Sequence, residues 1–506
     1  MDTTLRDGEQ TSGVSFTANE KLSVAKLLLE ELKVDRIEVA SARVSEGEFQ
    51  GVKNIICWTD QAGYTDKVEV LAFIDGNTSL DWIKNSGVKV ANLLTKGSRK
   101  HVESQLRKTP QEHMDDIKRA IEYASSNGID INLYLEDWSN GMRKSPEYVF
   151  FMLDSLKGFP VKRFMLPDTL GILNPDETFE FCQKMLQNYP EYRFDFHAHN
   201  DYDLATGNVF AALKAGIRAL HTTINGLGER AGNVPLSSVL GVVLDHFHFN
   251  VSLNEKKLFM VSKLIESFSG IRIPANRPLI GDNVFTQTCG VHADGDNKDN
   301  LYFNDLLPER FGRVRKYALG KTAGKANILK NLQELGIELN PEEIKRVTEK
   351  VIELGDKKET ITTEDLPYIV TDVLHNDVIE QKINVVNFAL SSANGLKSVA
   401  TLKIEINGKI YEETSNGDGQ YDAFMKALKK IYRGLNKEIP VLLDYIVTIP
   451  PGGKTDALVS TLITWEDQKN GREFKTRGLD PDQTVAAIKA TLKMLNIVEQ
   501  NSSNGL

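Results

Sequence analysis

The stretch RFDFHAHND, residues 193–201, alternates polar with aromatic residues and ends on two histidines one residue apart. Such alternation reads as a β-strand, and residues i and i+2 of a strand point to one face. His197 and His199 therefore converge at a strand's C-terminal end, where two imidazoles make natural ligands for a divalent metal if carboxylates stand close by. The competing reading is two partly exposed histidines, each bonded locally, because H-x-H is a short motif. The N-terminus and the regularity of the chain between favour the metal.

Outward from this strand, short apolar runs recur at 36–39, 67–74, 88–95, 130–136, 163–168 and 219–224, with amphipathic helical patterns between them. An eighth run is expected immediately before Thr3. Eight β-α units within about 250 residues predict a (β/α)8 TIM barrel. No G-x-G-x-x-G follows the first run, which counts against a dinucleotide-binding sheet. A barrel carries its chemistry at the C-terminal ends of its strands. Arg6, Asp7, Asp75, Asn77, Tyr134, Glu136, Asp168, Thr169, His197, His199 and Asn225 all fall there, and Glu38 lies within its strand. So many capable residues in one phase are hard to produce by chance.

With 506 residues the chain exceeds one hydrophobic core. Net charge is −9, so nothing suggests nucleic acid. No apolar run is long enough to span a membrane, and no secretion signal opens the chain. Cys57, Cys182 and Cys289 are far apart, which predicts neither a disulfide framework nor a thiolate zinc site and fits a cytoplasmic protein. The expected partition is a barrel over 1–270, small mostly helical linker subdomains over 271–378, and a C-terminal domain over 379–506. In that last part strands at 384–390, 397–406 and 409–415 with a helix at 420–434 are followed by strands at 441–449, 456–465 and 472–478 with a helix at 480–496. This is a tandem β-β-β-α repeat. LGKTAGK (319–325) mimics a P-loop, but Arg315 replaces its first glycine and no strand leads in. Cys289 near His292 suggests a Cys–His pair, though a structural cysteine is the commoner case.

TTLRDGEQ (3–10), FHAHND (196–201) and NGLGERAGN (225–233) together resemble the DRE-TIM metallolyase superfamily. FTQTCGVHADG (285–295), DNLYFNDLLPERFG (299–312) and the C-terminal repeat narrow the likeness to the α-isopropylmalate synthase branch, which includes citramalate and homocitrate synthases. VASARVSEGE (39–48), NLLTKGS (92–98), LYLEDWSNG (133–141) and IPPGGKTDALV (449–459) resemble the bacterial pyruvate-using citramalate synthases. Family members carry an apolar first strand before TTLRDGEQ, whereas this sequence begins at Met1-Asp2. The expectation is a start assigned too far downstream, with a first strand largely truncated.

The resemblance implies condensation of acetyl-CoA with a 2-oxo acid and then thioester hydrolysis. Asp7, His197, His199 and Asn233 match the family's metal positions, for Mn²⁺, Mg²⁺ or Zn²⁺. Arg6 would stabilise the developing alkoxide, and the enolising base would be Glu136 or His292, with Tyr302 as an acid or water-positioning group. Thr169 would bind the substrate carboxylate, and Asn300, Leu301 and Tyr302 would contact acetyl-CoA. Tyr134 with Leu71 and Leu94 would shrink the pocket to fit pyruvate, although the leucines alone read as ordinary barrel residues. Tyr421, Asp422, Leu442, Tyr445, Ile449 and Val459 would hold an amino-acid effector, isoleucine or alternatively leucine, in a homodimer. The expected reaction is the feedback-regulated entry to isoleucine synthesis. The alternatives are 2-isopropylmalate synthesis, a metal-dependent aldolase or lyase, and an inactive regulator.

Overall fold

The computed structural model describes residues 1–356, 361–374, 382–448, 459–468 and 471–503. The chain divides into two compact units, Met1–Phe285 with Asn304–Arg315, and Thr286–Phe303 with Lys316–Leu506. The segment expected to be a linker is thus shared between them. Among the described residues no helix is long and apolar enough to cross a membrane.

All seven predicted runs of the first unit are parallel strands: β1 (Ile37–Ser41), β2 (Val68–Phe73), β3 (Val90–Lys96), β4 (Asp130–Glu136), β5 (Val161–Asp168), β6 (Phe194–Ala198) and β7 (Ala219–His221). Each is hydrogen-bonded to the next in chain order. Asp2 stands where the eighth was expected and bridges Ile37 on one side and Thr222 on the other. Its N–H donates to Arg36 O at 2.9 Å and its carbonyl accepts from Glu38 N at 2.9 Å, while Thr3 N donates to Thr222 O at 2.9 Å. The ring is therefore closed through Asp2, to which β1 and the end of β7 each bond at this level instead of presenting free edges.

β4, DINLYLE, shows why these sequences build a barrel. Leu133 and Leu135 are fully buried in the core shared with the surrounding helices. Asn132 and Tyr134, in the opposite phase, bond across the interior to Asn92, Arg6 and His221. Part of that interior is polar rather than filled by aliphatic layers. Arg36 pairs with Glu69 at 2.7 Å and with Asp195 at 2.5 Å, Arg163 lies 3.4 Å from Asp195, and Asn92 donates to Glu38 at 2.8 Å. Buried charges persist only when paired, and each of these three carboxylates has an arginine partner, which for Glu38 is Arg6 at 2.7 Å. Outside the ring, helices start on side-chain caps. Thr17, Thr109 and Asn174 each accept from a backbone N–H three residues on, where Glu20, Glu112 and Glu177 return the bond. These are capping boxes readable in the sequence.

In the second unit, helices Lys325–Glu334, Pro341–Asp356 and Leu366–Leu374 enclose a small core that includes Ile328, Val347, Val351, Leu366 and Val370. The tandem repeat follows as expected. β8 (Ile383–Ser391), β9 (Ser398–Ile406) and β10 (Lys409–Gly417) form one antiparallel sheet, followed by helix Gln420–Gly434. β11 (Val441–Thr448), β12 (Val459–Asp467) and β13 (Arg472–Asp480) form the second, followed by helix Gln483–Ser503. Both repeats share one core, in which Ile404, Phe424 and Leu428 meet Ile463, Trp465 and Ile488. Gly478 lets the last helix lie against β13, since a Cβ there would fall 1.8 Å from Ala486 O. Ile449 and most of IPPGGKTDALV lie outside the described residues.

Candidate metal centre and substrate pocket

The first ligand candidate comes from a tight turn. The N–H groups of Arg6, Asp7 and Gly8 all point to Thr3 O, at 3.2, 2.8 and 3.1 Å. Lys21 anchors this turn from a fully buried position. Its ammonium donates to Leu5 O at 3.1 Å and pairs with Glu9 at 2.7 Å and Glu48 at 2.5 Å. The turn carries Asp7 to the strand end where β6 delivers its histidines. His197 Nε2 lies 3.2 Å from Asp7 Oδ2, His199 Nε2 lies 3.9 Å from it, and the two Nε2 atoms are 3.3 Å apart. One ligand atom from each of the three residues lies within 4.8 Å of those of the other two, and all three side chains are buried.

The loop NGLGERAGN brings the backbone of Asn233 beside His199. The two backbones bridge, and Asn200 N donates to Gly232 O at 2.9 Å. Gly232 has φ 83°, and a Cβ there would lie 2.0 Å from Gly226 O, so only glycine closes this loop. Both carboxylate oxygens of Asp7 and Oδ1 of Asn233 are buried without a hydrogen-bond partner in the protein, and the His197 and His199 Nε2 atoms face that carboxylate. Buried polar atoms are rarely left so. A mixed oxygen–nitrogen set with this shortfall fits a divalent cation. Burial alone would raise the Asp7 carboxyl, but Arg6 and the two histidines reverse this and hold it far below the usual carboxylate range. Burial and then His197 push His199 down to about 4. Asp7 is thus ionised and His199 neutral near pH 7, the protonation states in which both can ligate.

Arg6 is fixed beside the cluster. Its Nε donates to Glu38 Oε2 at 2.7 Å, Nη2 to the Tyr134 hydroxyl at 3.2 Å, and Nη1 lies 3.5 Å from Asp7 Oδ2. Its guanidinium sits 5.6 Å from the centre of the Tyr134 ring. Tyr134, Leu71 and Leu94 gather in one apolar cluster with Met165 and Met1. Cross-strand register brings them together: Leu94 stands opposite Tyr134, and Tyr134 opposite Met165. Glu136 is ion-paired with Lys96, its neighbour across β3 and β4. Thr169 Oγ1 accepts from Asp137 N at 2.9 Å, and its carbonyl accepts from Arg230 at 2.7 Å.

His292 and Tyr302 belong to the second compact unit, where their rings lie 4.2 Å apart at an interplanar angle of 33°. His292 is on helix Gly290–Asn297, and a Cβ on Gly295 would come within 2.4 Å of the Tyr302 ring. Leu301 and Tyr302 are exposed, and Asn300 has φ 54°. In the C-terminal repeat, the Tyr421 hydroxyl bonds Thr491 at 2.7 Å and its ring lies 5.5 Å from that of Tyr445. Asp422 is taken by Lys426 at 2.6 Å, Leu442 is exposed on β11, and Val459 is buried.

Four residues escape the sequence reading: Lys21, Lys96, Met165 and His221. Lys96 and Met165 do lie in the inward phase of β3 and β5, which is a usable signal. Lys21 sits in an ordinary helical pattern that gives no hint of burial. His221 lies in a run too short to show its phase. It is fully buried, and burial pushes it down to about 3.

Residues 1–265 match the family model described as HMGL-like, 279–359 the homocitrate synthase post-HMGL domain-like model, and 360–499 the LeuA allosteric (dimerisation) domain. The (R)-citramalate synthase CimA of Methanocaldococcus jannaschii is 32% identical over 501 residues, covering 98% of this chain and 99% of that protein. A protein of Methanopyrus kandleri named "Probable 2-isopropylmalate synthase" is 31% identical over 501 residues, 98% of this chain and 97% of its own. Both relatives are archaeal, which corrects the bacterial affiliation expected from the sequence. Among solved structures, the HMG-CoA lyase from Brucella melitensis aligns with a TM-score of 0.45 at 18% identity, covering 53% of this chain and 98% of that one.

Proposed function

The chain belongs to the HMGL-like enzyme family that contains the (R)-citramalate and 2-isopropylmalate synthases, and we propose that it condenses acetyl-CoA with pyruvate to give (R)-citramalate and CoA. The observation that carries the choice of pyruvate is the apolar cluster of Tyr134, Leu71 and Leu94 beside Arg6. A phenol ring there leaves little room for the isopropyl group of 2-oxoisovalerate.

Asp7, His197, His199 and Asn233 are the residues to hold a divalent ion, which would act as a Lewis acid on the 2-oxo group. Arg6, which bonds Glu38 and Tyr134, stabilises the alkoxide that forms as the carbonyl is attacked. Thr169 takes the substrate carboxylate. The acetyl-CoA methyl must lose a proton to a positioned base, and Glu136 and His292 are the two groups for it. Asn300, Leu301 and Tyr302 bind acetyl-CoA, and Tyr302 serves as acid or orients the water that then hydrolyses the thioester. His292 and Tyr302 act on the site of the partner subunit in a cytoplasmic homodimer. The organisation that goes with this reading is a catalytic barrel over 1–270, linkers over 271–378 and a regulatory domain over 379–506. Isoleucine is the effector, bound by Tyr421, Asp422, Leu442, Tyr445, Ile449 and Val459, and it controls entry to isoleucine synthesis.

The second reading, 2-isopropylmalate synthesis, has in its favour the likeness to the Methanopyrus protein of that name. The reaction is tested by incubating the enzyme with acetyl-CoA, pyruvate and Mn²⁺ or Mg²⁺, then identifying the acid formed and titrating the thiol. One thiol per citramalate, abolished by chelation, is expected. Thiol release without a condensed acid, or turnover in metal-free enzyme, would overturn the proposal.

A further inference from the structure

We infer that His221 is a positioning residue that sets the width of the 2-oxo acid pocket by locking Tyr134 in place. This rests on the reading that Tyr134 bounds that pocket. His221 ends β7, is fully buried and has no part in the steps above. Its Nδ1 lies 3.0 Å from the Tyr134 hydroxyl and its Nε2 3.3 Å from Asp195 Oδ2. Asp195 is itself held by Arg36 at 2.5 Å and by Arg163 at 3.4 Å. A carboxylate in that company only accepts, so Nε2 carries the ring proton and Nδ1 is left to accept. The Tyr134 hydroxyl donates to it, and the phenol oxygen keeps its lone pairs for Arg6 Nη2 at 3.2 Å.

The result is a chain from Asp195 through His221 and Tyr134 to Arg6 that ties β6, β7, β4 and the N-terminal turn together. The rings of His221 and His197 also meet the Tyr134 ring edge-on, with centroids 5.6 and 6.0 Å away. A pocket wall discriminates only if it does not yield. One methyl in an apolar pocket is worth roughly 10- to 200-fold in selectivity, and that is lost if the ring swings aside. Tyr134 has no anchor for its hydroxyl proton as good as His221, since Glu38 Oε2 lies 3.5 Å off.

The test is the ratio of kcat/KM for pyruvate to that for 2-oxoisovalerate. It is measured for wild type, His221→Ala, His221→Asn, Tyr134→Phe, Tyr134→Ala and the double variant His221→Ala/Tyr134→Phe. The ratio does not depend on how much enzyme is folded. His221→Ala and Tyr134→Phe should each lower it by roughly ten-fold, and the double variant no further, because both remove the Tyr134–His221 bond, while the Arg6 bond that Tyr134→Phe also removes acts on both substrates alike. His221→Asn, whose side-chain oxygen can accept from the phenol, should keep most of the selectivity. If Tyr134→Ala changes the ratio and His221→Ala does not, or if the two effects multiply in the double variant, the role of His221 is overturned while the pocket reading stands. If Tyr134→Ala leaves the ratio unchanged, the pocket reading fails and the inference with it.

Discussion

Nε of Arg6 donates to Oε2 of Glu38 at 2.7 Å, so the guanidinium that faces Asp7 is held from behind by a carboxylate of β1. Glu38 also accepts from Thr3 at 2.7 Å and from Asn92 at 2.8 Å. It therefore fixes both the N-terminal turn and the arginine. Glu38→Gln keeps the shape and removes the charge. Its kcat should fall about 10- to 100-fold, the usual effect of removing a supporting partner behind a site, with circular dichroism unchanged. An unaltered kcat would show that Arg6 needs no such support.

Binding of the proposed ion at Asp7, His197 and His199 predicts a stability effect independent of turnover. Mn²⁺ at about 100 times its Kd should stabilise the folded protein by about 2.7 kcal/mol, read as a rise in Tm. His197→Ala and Asp7→Asn should lose this rise together with bound metal measured by elemental analysis. A rise of equal size in the variants would place the ion elsewhere.

Much of this was legible in the sequence, and the boundary has a physical cause. The seven strands and both β-β-β-α repeats follow from local periodicity, which each segment carries by itself. His197, His199 and Asp7 were legible because strand ends of a barrel converge, whatever the register. The Arg6–Tyr134, Lys96–Glu136 and Tyr134–His221 pairs were not, because they depend on how strands far apart in sequence align. Asp2 closing the ring with a single bridged residue could not be read from any apolar run.

A buried histidine outside the site gives a pH dependence. His113 Nδ1 lies 2.8 Å from the Tyr148 hydroxyl, and burial pushes it down to about 4. The unfolded chain takes up this proton near 6.5, the folded chain only near 4, so its contribution is present above about 6.5 and lost as pH falls toward 4. Between pH 7 and 5 the loss is at most about 2 kcal/mol. In His113→Gln the drop in urea unfolding free energy over that interval should be smaller by up to this amount. An identical drop would mean that His113 does not stay neutral in the fold.

Regulation is tested at Tyr421, whose ring packs on Tyr445 and whose hydroxyl bonds Thr491. Isoleucine should inhibit the wild type and should inhibit Tyr421→Ala more weakly. An inhibitor must bind the less active state better. Inhibition by leucine alone would favour the 2-isopropylmalate reading.

On the proposed function the pocket is built for pyruvate. The direct measurement is kcat/KM of the wild-type enzyme for pyruvate, 2-oxobutyrate and 2-oxoisovalerate, followed by thiol release from acetyl-CoA. One methylene is worth about 1–3 kcal/mol in an apolar pocket, so the predicted order is pyruvate first, 2-oxobutyrate graded below it and 2-oxoisovalerate far below. A higher kcat/KM for 2-oxoisovalerate than for pyruvate would rule out a pyruvate pocket.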